Sequence, residues 1–421
     1  MEGVEVSPYF LCPISLEIMR DPVTLSTGIT YDRESIERWI FSDKHEICPV
    51  TKQALTDLDV TPNHTLRRLT QAWCAANASD GVERFPTPRP PVDTTQIAAI
   101  LDEAKLPQTQ MTALRRLKAI ASESDRNKRC VEASGAVDVL ASIMENSIHG
   151  STGVLEEEVI VCDGLETASA PDEALAILCS LQLSEKSLLG LIQRDVNFVE
   201  LLTIVLGRSS YRIRAYSLLL LKSLVPVIAP ARVLSLREEF FEELAKVLRD
   251  QISSQATKAA LQVLDVVSSW GNNRLKAAKA GAVRVLIEQL LDEPEKRKCE
   301  MIMVILCQLC GCAEGRAELV EHAAGIAVVS EKIHRVSQLV SRMAVKILCS
   351  VAKSSPSPTV LQEMLQLGAV SKMCLLLQMD CDAKDRARVR EVLTLHSKAW
   401  RNSPCVTPRL KASYPFLHMR G

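Results

Sequence analysis

Five side chains able to bind metal or act as nucleophiles fall in the first 75 residues: Cys12, Cys48, Cys74, His45 and His64. A structural zinc site is tetrahedral and takes four thiolate or imidazole ligands. Five candidates cannot complete two such sites, and none of them lies in a Cys-x-x-Cys pair. Cys12 and Cys48 could instead be nucleophiles, but a reactive thiol needs an activating base or cation, and none stands next to either in the sequence. Both are followed by proline, a setting that suits small buried thiols. A second cluster, Cys307-Gln-Leu-Cys310-Gly-Cys312, ends the apolar helical run Met301 to Leu309 and has no histidine at metal-ligand spacing. It reads as core thiols. The residues therefore predict no metal, no cofactor and no nucleophile, so something other than zinc must hold this part of the chain together.

The elements around Cys12 and Cys48 are legible. Pro22 and Gly28 bracket a short strand at Val23, Thr24 and Leu25, whose side chains suit a pleated surface. Asp32 is placed to N-cap a helix with Ile36, Trp39 and Ile40 on its apolar face. Asn63 is placed to cap a second helix with Leu66, Leu69 and Trp73 on one side. Two loops, Cys12 to Leu16 and Cys48 to Lys52, flank the first helix.

A chain of 421 residues, 47% hydrophobic and 24% charged, holds two or more globular domains. The net charge of −1 gives no electrostatic case for nucleic acid or an anionic membrane as main partner. No secretory leader is expected from the opening residues, and the run Leu218 to Ile228 is broken by Lys222 and Pro226 and too short to span a bilayer. Fourteen scattered cysteines read as reduced thiols, which predicts a cytoplasmic or nuclear protein. The expected divisions are an N-terminal module at 8–78, a proline-rich linker at 79–93, a helical array at 94–400 and a poorly ordered tail at 401–421.

The helical array repeats. Asn127-Lys-Arg-Cys-Val-Glu-Ala-Ser-Gly-Ala-Val-Asp-Val-Leu140 matches Asn273-Arg-Leu-Lys-Ala-Ala-Lys-Ala-Gly-Ala-Val-Arg-Val-Leu286. Gly281, Gly325 and Gly368 are spaced by 44 and 43 residues. Stepping back by the same period reaches Glu238 and Asp195, ahead of the helical runs Phe240 to Leu248 and Phe198 to Leu206. The interval from Gly135 to Asp195 is longer, and the surplus is an acidic, turn-rich insertion at about 149–172, read as a solvated loop. A period of about 40–47 residues marks stacked helical units that cannot bury their apolar faces alone. The glycine ends one helix with a positive φ or permits a sharp turn into the next. The pattern resembles the armadillo repeat.

The N-terminal segment resembles the U-box, the zinc-free relative of the RING finger. It carries Phe10-Leu-Cys-Pro-Ile-Ser-Leu16, Asp21-Pro-Val-Thr, Gly28-Ile-Thr-Tyr31-Asp, Trp39 and Cys48-Pro-Val-Thr51. With the linker and repeats, the whole chain looks like a plant U-box/armadillo ubiquitin ligase. The fold this implies is mostly α: a small α+β zinc-free RING-like U-box followed by an armadillo-type α-solenoid. The resemblance implies that polar contacts replace the metal, with Ser15, Glu17, Asp21, Asp32, Arg33 and Thr51 as candidates. It implies an E3 ligase that recruits a ubiquitin-charged conjugating enzyme (E2) through Ile14, Leu16, Trp39 and Pro49, and binds a protein substrate along the armadillo groove. Lys52 stands where related ligases often place a basic residue that orients the E2-linked ubiquitin; lysine lacks arginine's planar fork. Negative regulation of plant immune or stress signalling, and homo- or hetero-oligomers, are further implications.

Thr61-Pro62 and Thr87-Pro88 match the minimal signature of proline-directed kinases. Two rival readings are a non-catalytic armadillo scaffold and a nuclear-import type adaptor. The adaptor requires Asn and Trp recurring on successive third helices, and only Trp270 is expected in such a position.

Overall fold

The computed structural model describes residues 6–42, 45–55, 60–77, 94–150, 169–194, 197–354, 356–378 and 382–400. The linker with Thr87, Asp195, most of the insertion and the tail lie outside the described residues.

In the N-terminal module the strands are β1 (Pro22–Thr24), β2 (Thr30–Asp32) and β3 (Thr61–Pro62), antiparallel in the order β2-β1-β3. Gly28, at φ 80°, makes the turn between β1 and β2 in a conformation that other residues resist. Helix α1 (Arg33–Glu37) runs on as a wider π turn over Arg38–Ser42, and α2 (His64–Ala76) closes the module. The core is built on Cys12, Met19, Val23, Tyr31, Ile36 and Cys48, with Ile14, Trp39 and Leu66 packed against it. Asn63 caps α2 as expected, its side chain accepting from the Leu66 amide at 3.0 Å. Leu69 departs from expectation and is 55% exposed. The inner face of α2 runs through Leu66, Thr70 and Cys74, with Trp73 against Phe10 at 5.8 Å, and Leu69 falls off its edge.

The remaining helices form an array. A leading pair, α3 (Thr94–Ala104) and α4 (Gln110–Glu123), precedes units of three. These are α5 to α7 (Asp125–Ala133, Ala136–Gly150, Ala170–Ser180), α8 to α10 (Glu185–Gln193, Phe198–Leu206, Tyr211–Leu224) and α11 to α13 (Pro230–Leu234, Glu238–Asp250, Ser254–Val267). Then come α14 to α16 (Gly271–Lys279, Ala282–Leu291, Lys296–Leu309), α17 to α19 (Ala313–Glu321, Gly325–Glu331, Gln338–Ser354) and α20 to α22 (Pro358–Gln366, Ala369–Gln378, Ala383–Leu395), with α23 (Ser397–Trp400) last. The third helices stack in sequence, α10 on α13, α16, α19 and α22. This is the armadillo-type arrangement. Two compact units divide the chain, one of Met1–Val139 with Ser180–Gln182, the other of Leu140–Cys179 with Leu183–Gly421. Among the described residues no single helix is long and apolar enough to cross a membrane.

The repeated residues have physical reasons. Gly135, Gly281 and Gly368 have φ of 80°, 77° and 70°, in the left-handed region between first and second helices. Gly325 serves differently: a Cβ there would stand 1.9 Å from the Leu319 carbonyl oxygen, so close backbone approach requires glycine. The repeated asparagine ties its helix to the end of the helix before it. Asn127 donates to the Ile120 carbonyl at 3.0 Å and Asn273 to that of Val267 at 3.2 Å.

Two further expectations differ from the structure. Trp270 N-caps α14, a first helix, because its repeat turns at Ser268 before reaching it. The insertion is not loop at its ends: α6 continues to Gly150, and α7 begins at Ala170. At the second end Asp172 in the first turn of α7 holds Arg208 at 2.9 Å and favours helix there.

Candidate functional site: a pair of matched loops

The two Cys-Pro loops are built alike, 36 positions apart. In the first, the Leu16 amide donates to the Cys12 carbonyl at 2.8 Å and the Cys12 amide to that of Glu17 at 2.9 Å. In the second, Lys52 donates to Cys48 at 2.9 Å and Cys48 to Gln53 at 2.8 Å. Each loop is closed by one bridge, Leu11 with Ile18 and Ile47 with Ala54. Ser15 and Thr51 play the same part, each hydroxyl accepting the amide two residues on at 3.4 Å. Leu16 and Lys52 occupy the same point of the turn, both at φ 59°. A left-handed backbone is uncommon for such side chains and persists only where the surroundings fix it.

Consecutive residues of β2 hold the two loops. The Asp32 amide donates to the Cys12 sulfur at 3.3 Å. The Tyr31 hydroxyl lies 3.0 Å from the Cys48 sulfur, which also accepts from Thr27 at 3.4 Å. The Tyr31 oxygen in turn accepts the Val50 amide at 3.3 Å. Adjacent Cα atoms are about 3.8 Å apart, so β2 brings the loops together. Burial would raise the Cys48 thiol pKa, but hydrogen bonds from Thr27, Thr51 and Tyr31 outweigh it and bring it down to about 6. Tyr31 is pushed well up, by burial first and by its Cys48 bond second, and so keeps its proton.

Asp32 does not cap α1 as its position suggests. Its carboxylate reaches back to accept the amides of Arg20 at 2.8 Å and Asp21 at 2.9 Å, which staples the segment between the first loop and β1 to β2. Asp21 pairs with Arg33 at 2.6 Å and Arg67 at 3.8 Å. Arg33 also reaches Glu37 at 3.4 Å. Of the expected polar side chains, Asp21, Asp32 and Arg33 thus form the main network, and Ser15 and Thr51 shape their own loops. Glu17 contributes its backbone carbonyl and amide. Among the described residues no three metal-ligating side chains gather. Cys312 instead caps α17, its sulfur accepting from the Gly315 amide at 3.4 Å.

The apolar candidates sit on this frame. Ile14 and Trp39 are partly buried against the same core. The Trp39 indole N–H donates to the Ile47 carbonyl at 2.9 Å, and its ring lies over His45 with centroids 4.0 Å apart, tying the helix to the second loop. Leu16 is 74% exposed, Pro49 is half-buried and Lys52 is exposed. Thr61 is exposed on β3, paired with Thr24. The residues missed from the sequence were Tyr31, Thr27 and the two sulfurs as acceptors. The signal was there: Cys-Pro-x-(Ser/Thr)-x occurs twice, at Cys12 and Cys48.

Comparison with known proteins agrees with this geometry. A U-box domain model matches residues 6–79, and a model of the plant U-box protein ARM repeat region matches residues 96–415. The chain is 47% identical over 432 residues to E3 ubiquitin-protein ligase PUB22 of Arabidopsis thaliana, covering 98% of this chain and 99% of that protein. It is 48% identical over 420 residues to E3 ubiquitin-protein ligase PUB23 of the same plant, covering 98% of each. A solved structure from work on a phosphorylation switch in the cadherin and beta-catenin interaction superposes with a TM-score of 0.56 at 14% identity, covering 85% of this chain and 61% of that one, a likeness of fold alone. The chain belongs to the family of plant proteins that join a U-box to an armadillo repeat region.

Proposed function

We propose that this protein is an E3 ubiquitin ligase that promotes transfer of ubiquitin from a charged E2 to substrate lysines without carrying ubiquitin itself. Ile14, Leu16, Trp39 and Pro49 contact the E2, and Lys52 helps orient the E2-linked ubiquitin. The observation that carries the reading is the pair of matched loops pinned to β2, which leaves Leu16 and Lys52 projecting at equivalent points. The activity printed in the names of the two Arabidopsis relatives supports it. Catalysis on this reading is orientation: a flexible thioester-linked ubiquitin is held in a reactive pose, which lowers the entropic part of the barrier. Cys12 and Cys48 are buried and engaged in hydrogen bonds, which favours a scaffolding role over a nucleophilic one. The armadillo repeats bind the protein substrate along their stacked third helices. A cytoplasmic or nuclear site of action and a role in restraining immune or stress signalling are part of the same proposal.

The test is autoubiquitination of the full chain with purified activating and conjugating enzymes. Ile14→Ala and Leu16→Ala should abolish or strongly reduce chain formation while leaving the melting temperature within a few degrees. Unchanged activity in both variants would remove the assigned E2 surface. An inactive parent protein with every E2 tried would favour the non-catalytic scaffold.

A further inference from the structure

We infer that the α19–α22 end of the repeat array binds an extended acidic peptide, rich in Asp and Glu, which rests on the reading of this region as the substrate-binding part and names the chemistry of the segment it takes. Helix α19 carries three cations, Arg342, Lys346 and Lys353, and no acid. Helix α22 carries Lys384, Arg386, Arg388 and Arg390 against Asp385 and Glu391. This excess stands out in a chain whose net charge is −1.

The arrangement is specific. Arg342 and Lys346 are four apart on α19, and Arg386 and Arg390 are four apart on α22, so each pair shares a helix face. The two helices pack together, with Arg342 meeting Asp385 at 3.1 Å and the Cys349 sulfur 4.0 Å from the Arg388 carbonyl. The acids of α22 are already engaged: Asp385 holds Arg342 and Arg388, and Glu391 pairs with Lys353. Lys346 and Arg390 are exposed, and among the described residues neither has an ion-pair partner. Like charges at this spacing cost about 0.2–0.5 kcal/mol per pair on a helix, so Lys346 and Arg390, each beside another cation, add no stability to their helices by their own charge. Charge complementarity selects an anionic occupant.

A cavity of about 370 Å³ adjoins the patch, lined by Ser337, Gln338, Arg342, Leu376, Asp382 and others. Arg342 belongs to both. A peptide crossing from α19 to α22 spans about 10 Å, or roughly three extended residues. Carboxylates at that spacing reach Lys346 and Arg390 while a neighbouring side chain enters the cavity. A peptide fits better than a nucleic acid, because Asp382, Asp385 and Glu391 neutralise Arg342, Arg388 and Lys353 and leave discrete charges at Lys346 and Arg390, which suit spaced carboxylates rather than a continuous phosphate backbone.

The probe is a fluorescein-labelled synthetic peptide of about eight residues, alternating Asp with Leu and Ser, titrated into the full chain by fluorescence anisotropy. The Asp peptide should bind, and its Asn counterpart should bind at least about tenfold more weakly. The double variant Lys346→Gln/Arg390→Gln should lose about tenfold in affinity, and Lys346→Glu/Arg390→Glu should lose more, with circular dichroism melts unchanged. Affinity should fall with added salt. Ile14→Ala should leave peptide binding intact, and the two double variants should keep autoubiquitination, so this site and the E2 surface fail separately. Equal binding of Asp and Asn peptides, or affinity unmoved by charge reversal, would overturn the inference. Tighter binding of a single-stranded oligonucleotide, lost in the same variants, would overturn it in favour of nucleic acid.

Discussion

The Tyr31 hydroxyl stands 3.0 Å from the Cys48 sulfur in the floor of the second loop. One residue on, the Asp32 amide holds the Cys12 sulfur of the first loop. A strand thus does for these loops what a metal ion does elsewhere. It offers donors from a rigid element to two buried sulfurs. Because Tyr31 is fully buried, its hydroxyl must be satisfied in place.

Removing that hydroxyl tests the frame with little change in shape. Tyr31→Phe keeps the buried ring but strands the Val50 amide and one acceptor site on Cys48. The expected loss is about 1–3 kcal/mol. Amide hydrogen exchange should accelerate in the second loop, and conjugation activity should fall with it.

The thiol gives the module a pH dependence of definite sign. Cys48 titrates at about 6 in the folded chain, below the ordinary range near 8.5. Its contribution is full above the unfolded value, shrinks as pH falls and is gone below about 6. Stability should therefore rise between about pH 6 and 8.5, at up to about 1.4 kcal/mol per unit. Hydrogen exchange of the Glu46–Leu55 segment across this range should show the slope, and Cys48→Ser should flatten it.

The carboxylate staple predicts a contrast within one network. Asp32→Ala removes the acceptor for the Arg20 and Asp21 amides and should cost about 1–3 kcal/mol, whereas Asp32→Asn keeps an acceptor and should cost less. Equal losses in thermal melts would mean that the charge matters rather than the geometry.

Two glycines of one repeat pattern should respond differently to the same change. At Gly281 an added Cβ meets nothing within 4 Å, so Gly281→Ala should cost only the left-handed penalty of about 1–2 kcal/mol. At Gly325 the Cβ would collide with the Leu319 carbonyl and force the backbone to shift. Thermal melts should show the larger loss for Gly325→Ala.

The fold class was legible because its signals are periodic. Repeated glycines and asparagines mark each turn between helices, and those residues have the same local jobs wherever they recur. The candidate site was legible at the level of residues but not of contacts. Asp32 has the local pattern of a helix cap, yet a partner on another loop took its carboxylate, which local sequence cannot announce. Tyr31 looked like an ordinary strand residue, since its role depends on a cysteine 17 positions away. Leu69 failed for a simpler reason: an apolar residue at the edge of a helical face can point to solvent without breaking the pattern.

The most direct measurement is single-turnover discharge of ubiquitin from a charged E2 to free lysine, with the full chain present and a zinc chelator added. The account predicts the same rate with and without chelator, and a rate near background for Ile14→Ala and Leu16→Ala. A discharge rate abolished by the chelator and restored by zinc, or one unmoved by those two substitutions, would contradict it.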